Sequence, residues 1–336
     1  MIKFYDIRDG WPELPWFSTG GTRAKKFIQS PDDKYYYFKR SQFKPATADK
    51  PGKDYRFEFW SEIISYEVGS FLGFDVLRYD IAYDGTTMGC ISESMIDAEK
   101  EQFIEGVKFL IADNPNYEPE NKNHRSLYSF QAIESALEKF IFNRFKNKIV
   151  ELIVFDAIIG NGDRHQENWA IIMEYEAISA AIEKLKPFAA GEGKGGLDEE
   201  AIYDYEAIRF APFYDNGSSL GRELTDQKVN DLLTSDISTN VYIGKGTAEI
   251  HWINRKLSHF DLVRQLLQTN YRDFVINIIE RTVGNFDLAA IEFMVERIDI
   301  WVPEFVQQFK IPYPRKKLIC KLIKFRFQRL KELIDA

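Results

Sequence analysis

The stretch IVFDAIIGNGDRHQENWAII, residues 153–172, sets an apolar run directly against Asp163-Arg164-His165-Gln166-Glu167-Asn168. Two acids, a guanidinium, an imidazole and two amides crowd consecutive positions there. An exposed turn has no need of such a set, and a core cannot hold it unpaired. The segment KNKIVELIVFDAIIG, which ends at Gly160, reads as a helix with a glycine stop. The polar set therefore lies on a loop mounted on buried structure, a common seat for reactive side chains. Phosphoryl transfer needs a carboxylate that orients an attacking hydroxyl, and a nearby neutral oxygen helps to hold a divalent cation. Asp163 and Asn168 are residues of those two types, close together on one loop.

A cation that bridges phosphates also needs a further carboxylate. FAPFYDNGSSLGREL (210–224) offers Asp215, after a strand-like apolar approach and before the tight turn Asn216-Gly217. Taken singly, Asp-x-x-x-x-Asn and Tyr-Asp-Asn-Gly are ordinary turn sequences; their order, each behind a hydrophobic run, gives them chemical sense. A cation for the phosphates is available in YYYFKRS, where strand alternation puts Tyr35, Tyr37 and Lys39 on one face. The partner expected to hold Lys39 is Glu62 in the following helix, with Glu67 as the fallback. A phosphate cradle should precede Lys39. WFSTGGTRAKKF (16–27) supplies Ser18, Thr19, Gly20, Gly21 and Thr22, then Arg23, Lys25 and Lys26. Adjacent glycines let backbone amides approach anionic oxygens, although the pattern is neither G-x-x-x-x-G-K-[ST] nor G-x-G-x-x-G.

Outward from these sites, the first hundred residues read as β-rich with one helix. DKYYYFKRS is strand-like, and RYDIAYDGTTMGCISESMI (78–96) reads as two strands about the turn Asp84-Gly85. Between them Phe59, Ile63, Val68, Phe71 and Leu72 share a helical face, with Gly73 as the stop. The polar segment 42–55 reads as a loop. Beyond about residue 97 the pattern turns helical: one helix over 126–145, the helix ending at Gly160, and several amphipathic helices from 256 onward. KPFAAGEGKGGLDEEAIYDYE (186–206) reads as a mobile, glycine- and glutamate-rich segment. The fold class expected is α+β, a small β-rich lobe over 1–97 followed by a larger, mainly helical lobe over 98–336.

With 336 residues, of which 45% are hydrophobic, the chain can bury a sizeable core, and its formal net charge of -8 argues against general nucleic-acid binding. Two cysteines and four histidines make neither a disulfide framework nor a zinc cluster. No signal-like segment and no long apolar run occurs, so a cytoplasmic, soluble chain without a membrane span is expected. The basic C-terminal helix, with Lys316, Lys317, Lys321, Lys324, Arg326, Arg329 and Lys331, reads as a docked terminal helix with a solvated face.

GNGDRHQEN and APFYDNGSSLG, behind STGGTRAK, YYYFK and SEIISYEVGSFLGFDV, resemble the HipA-like serine/threonine kinases of bacteria, from about residue 16 to at least 225. The resemblance implies a two-lobed protein-kinase-like fold, ATP and Mg2+ as cofactors, a protein Ser/Thr hydroxyl as acceptor, and autophosphorylation in the glycine loop. It implies Asp163 as the catalytic base, Asn168 and Asp215 as metal ligands, Lys39 on the phosphates and Glu62 as its partner. The hinge falls at CISESMI, with backbone groups around Glu93 to Met95 meeting the adenine, and Gly20, Gly21 and Thr22 in the phosphate loop. His165 either offsets charge on the transferring phosphoryl or orients the loop, and Arg164 makes a structural ion pair. Arg164-His165 is also similar to the GDRH loop of phosphatidylinositol 3- and 4-kinases, which leaves a lipid or small-molecule acceptor open. A nucleotide-binding pseudokinase or toxin-type interaction module is the third reading. An antitoxin-like partner is implied by the family. The separation of Asp163 from Asp215 is longer than usual for it, which assigns about 174–206 to an insertion.

Overall fold

The computed structural model describes residues 2–15, 25–41, 43–44, 53–189, 202–204 and 206–335. The smaller lobe runs β1 (Phe4–Asp6), β2 (Lys25–Gln29), β3 (Tyr35–Arg40), β4 (Phe43–Lys44), β5 (Lys53–Asp54), α1 (Glu58–Phe71), β6 (Asp80–Tyr83) and β7 (Met88–Glu93). Five strands form one sheet in the order β1-β6-β7-β3-β2, with β1 parallel to β6 and the other pairs antiparallel. The expected turn at Asp84-Gly85 joins β6 to β7. The segment expected as a loop over 42–55 instead carries the short antiparallel pair β4–β5. Alternation along β3 divides its side chains as the pattern requires. Tyr36 and Phe38 enter a cluster with Ile7, Ile28, Ala82 and Ile91 on one face of the sheet, while Lys39 is buried on the other.

The larger lobe continues with β8 (Glu101–Glu105), α2 (Gly106–Asp113), α3 (Phe130–Lys139), α4 (Lys146–Ile159), β9 (Ala170–Glu174), α5 (Tyr175–Ala189) and β10 (Ile208–Phe210). Then follow α6 (Asp226–Thr234), α7 (Asp236–Lys245), α8 (His259–Leu266), α9 (Arg272–Asn285), α10 (Leu288–Glu296) and α11 (Tyr313–Asp335). The helix expected over 126–145 is shorter. Ser129 caps it, its Oγ accepting from the Ala132 amide at 3.2 Å, and after Lys139 the chain turns through Ile141 at φ +61°. The reading of this lobe as helical missed a three-stranded sheet, β10-β9-β8. Its strands come from three distant segments, and short apolar runs do not by themselves distinguish strand from helix. The region assigned to an insertion carries α5, and residues 190–201 lie outside the described residues.

α4 is the axis of the molecule. From Ile149 to Ile159 every residue is buried, including Glu151 and Asp156, and Gly160 closes the helix in the left-handed region at φ +71°. α1 packs onto it at Gly69, where a Cβ would lie 2.5 Å from Val76 and 2.8 Å from the Phe155 ring. Phe59, Ile63, Ile64 and Val68 of α1 therefore share one continuous core with Ile149, Leu152 and Phe155 of α4. The last helix is docked as expected, with Leu318, Leu322, Ile323 and Leu330 buried, but two cations counted on its solvated face, Lys316 and Arg326, are buried as well; Lys316 pairs with Asp299 at 2.6 Å. Arg326 is buried behind the end of α4, where its Nη1 donates to the Ala157 carbonyl at 3.3 Å, and burial lowers its pKa to about 10. Among the described residues no helix is long and apolar enough to cross a membrane.

Candidate active site

Lys39 leaves β3 opposite Cys90 of β7, and its ammonium lies between two carboxylates. It bonds Glu62 Oε1 and reaches Asp215 Oδ1 at 2.6 Å, all three side chains being nearly excluded from water. Burying these charges is tolerable only because each is paired and hydrogen-bonded; one ammonium against two carboxylates leaves the cluster negative. Glu62 has a second duty, since its Oε2 accepts the Asn216 amide at 2.6 Å. The acid of α1 thus grips both Lys39 and the backbone beside Asp215, which sits in the left-handed region at φ +55°. Tyr79, fully buried with its phenol pushed up by desolvation, accepts the Asp215 amide at 3.4 Å. α1 is fastened to the same loop twice more: Ser61 Oγ donates to the Ser219 carbonyl at 3.1 Å, and Ser65 and Ser219 share a hydroxyl contact at 3.1 Å. Glu67 makes none of these contacts; burial raises its carboxyl.

The loop after α4 is organised around Arg164, which is 1% exposed. Its Nε and Nη2 clasp the Asp156 carboxylate at 3.0 and 2.8 Å, and Nη2 also reaches Asn216 Oδ1 at 2.6 Å. Its Nη1 donates to the carbonyl of Asn168 at 3.1 Å and to that of Tyr214. All five guanidinium donors are engaged. Burial opposes the charge of Arg164, but the adjacent Asp156 outweighs it and the guanidinium pKa is raised; burial also raises Asp156, against the pull of Arg164 and Asn161. One nitrogen therefore fixes the residue before Asp215 and the backbone of Asn168 together. The ion pair expected of Arg164 is present, and its partner Asp156 went unread in the sequence. A lone acid inside the apolar run IVFDAIIG was the signal available, because such a group must find a partner.

Asp163 is half-buried on this loop. Its amide donates to Asn161 Oδ1 at 3.3 Å, its carbonyl accepts from Asn168 Nδ2 at 2.8 Å, and its Oδ2 accepts from Ser218 Oγ at 3.2 Å. The second of these bonds orients the Asn168 amide and leaves its carbonyl oxygen as the donor atom for a cation. That oxygen and the Asp215 carboxylate are hard ligands of the kind magnesium takes. His165 accepts the Glu167 amide on Nδ1 at 3.3 Å, so the proton of a neutral ring sits on Nε2. The Glu167 carboxylate is 4.0 Å from the same nitrogen.

In the segment expected as the hinge, Glu93 ends β7 and pairs with Lys34 at 3.0 Å, and the Ser94 amide donates to the Tyr35 carbonyl at 2.8 Å. The Met95 side chain packs with Ile172, Ala211, Tyr214 and Phe103, and its carbonyl accepts from Arg209 Nη2 at 2.9 Å. Arg209 also pairs with Glu101, which ties the segment around Met95 to the three-stranded sheet. Gly20, Gly21 and Thr22, with Ser18 and Thr19, lie outside the described residues.

These elements define a mixed α+β, two-lobed architecture of the protein-kinase-like kind, a small sheet lobe over a larger helical one. The crystal structure of the Helicobacter pylori proinflammatory kinase CtkA has this fold: it matches with a TM-score of 0.68 at 14% identity, over 99% of each chain. HipA from the Shewanella oneidensis MR-1 toxin–antitoxin system, solved with HipB and operator DNA, gives a TM-score of 0.47 at 11% identity, over 98% of this chain and 69% of that one. No protein-family model and no curated protein sequence matches the chain.

Proposed function

We propose that the chain is an ATP-dependent protein kinase of HipA-like type, which transfers the γ-phosphoryl group to a serine or threonine hydroxyl. The convergence of Lys39 on Glu62 and Asp215 carries the reading, because it brings a small-lobe amine to the acid of a distant loop. The fold shared with a protein solved as a kinase agrees with it. In this reading the acceptor oxygen bonds to the γ-phosphorus, the bond from that phosphorus to the bridging oxygen of ADP breaks, and the acceptor proton passes to Asp163. Lys39 binds phosphate oxygens, and Glu62 keeps it in place. Asn168 and Asp215 would hold Mg2+, which supplies charge neutralisation to the phosphates when bound. His165, presenting Nε2–H, donates to a phosphoryl oxygen or fixes the loop. The adenine meets backbone groups around Glu93 to Met95. Placement and electrostatics supply the rate.

The proposal places the lobe boundary near residue 97 and takes the 174–206 region as an insertion. The family resemblance adds Gly20, Gly21 and Thr22 as the phosphate loop, autophosphorylation there, and an antitoxin-like partner. The test is transfer from γ-labelled ATP to protein, the chain itself included, with lipid vesicles in parallel. Label on protein that disappears in Asp163→Ala is the expected result. Label only in lipid overturns the protein acceptor, and transfer undiminished in Asp163→Ala overturns the assignment of the base.

A further inference from the structure

Ser218 links the two loops of the site at the point where the reaction would begin. Its Oγ donates to Asp163 Oδ2 at 3.2 Å, and its carbonyl accepts the Gly162 amide at 3.3 Å. The residues after it are held from two sides. Ser219 is bound by Ser61 and Ser65 of α1, and the Leu220 amide donates to the Ile159 carbonyl at 3.0 Å at the end of α4. Ser218 is thus presented by a backbone anchored both to the helix that carries Glu62 and to the helix that carries the Asp163 loop.

From this geometry we infer that Ser218 is a positioning residue for the proposed phosphoryl transfer. The inference rests on the kinase reading and goes beyond it. A carboxylate that must accept a proton from an incoming hydroxyl has two oxygens and a freely turning side-chain torsion. A hydroxyl held on Oδ2 restrains that torsion and so sets the plane of the carboxylate. Serine suits the task because its one proton can be given to the acid while its backbone carbonyl fastens the neighbouring loop through Gly162. The same arrangement ties the aim of Asp163 to the loop that presents Asp215.

The test compares Ser218→Ala and Ser218→Thr with the wild-type chain in transfer from labelled ATP, with melting temperatures taken with and without Mg-ATP. Losing a hydrogen bond to a charged group should lower kcat about tenfold to a hundredfold in Ser218→Ala. The KM for ATP and the nucleotide-induced rise in melting temperature should stay as in the wild type. Ser218→Thr, which keeps the hydroxyl, should recover most of the rate. Wild-type kcat in Ser218→Ala overturns the inference, as does a Ser218→Thr variant as impaired as Ser218→Ala. So does a rate loss accompanied by an equal loss of nucleotide binding. Absence in the wild type of any transfer sensitive to Asp163→Ala overturns the kinase reading and this inference together.

Discussion

Arg164→Lys keeps a positive charge at the centre of the site and removes the planar fork. Arg164 gives five hydrogen bonds, to Asp156, Asn216 and the carbonyls of Asn168 and Tyr214. An ammonium has three donors on one atom, so at least two acceptors lose their partner and the two-point grip on Asp156 is gone. Charge-assisted bonds of this kind contribute about 1.5–3 kcal/mol each, so the loss of two should cost about 3–6 kcal/mol in unfolding free energy. Urea unfolding followed by far-ultraviolet circular dichroism measures it. Arg164→Met leaves the buried Asp156 carboxylate without its cation and should be at least as damaging at neutral pH. Burial raises Asp156 above its ordinary 3.8. Protonation relieves the buried charge, so the Met variant should be closest to wild type below that value and lose ground as pH rises through the raised one. A cost under about 1 kcal/mol for both variants would refute the reasoning, because it would mean that the five bonds do not organise the loops.

Two further outcomes follow from the packing. Gly69→Ala should destabilise by about 1–3 kcal/mol through overpacking against Val76 and Phe155, and should weaken the Lys39–Glu62 contact by displacing α1; thermal unfolding and Mg-ATP titration would register each effect. His259 is 2% exposed, and burial, then the nearby Arg326, holds its pKa well below 6.5. Its contribution to stability is fully present above pH 6.5 and is lost as pH falls toward the depressed value. The melting temperature of His259→Leu should therefore fall less between pH 7 and pH 5 than that of the wild type, and parallel curves would exclude the assignment.

Several elements were legible because local pattern encodes them. The helix ending at Gly160 needs only an apolar run and a residue that accepts positive φ. The β6–β7 hairpin needs only Asp84-Gly85, and alternation in YYYFK already separates Lys39 from Phe38. Ser218 carried no such signal, since one serine among turn residues looks like any other. The three-stranded sheet was missed because β8, β9 and β10 each supply a short run whose strand character comes from its neighbours. Glu62 was the expected partner of Lys39 and Glu67 the fallback; the placement of α1 decides for Glu62, because the two lie on different faces of the helix.

By itself the sequence determined the order of the polar loops, the buried helix that carries one of them, and the α+β composition of the two lobes. These follow from periodicity, turn residues and charge, all of which act over a few positions. The tertiary structure alone decided that Lys39 meets both Glu62 and Asp215, that Arg164 spans two loops, and that α1 is fastened to the larger lobe. Those contacts join residues far apart in the chain, and burial, which leaves each charge no alternative to its partner, selects them.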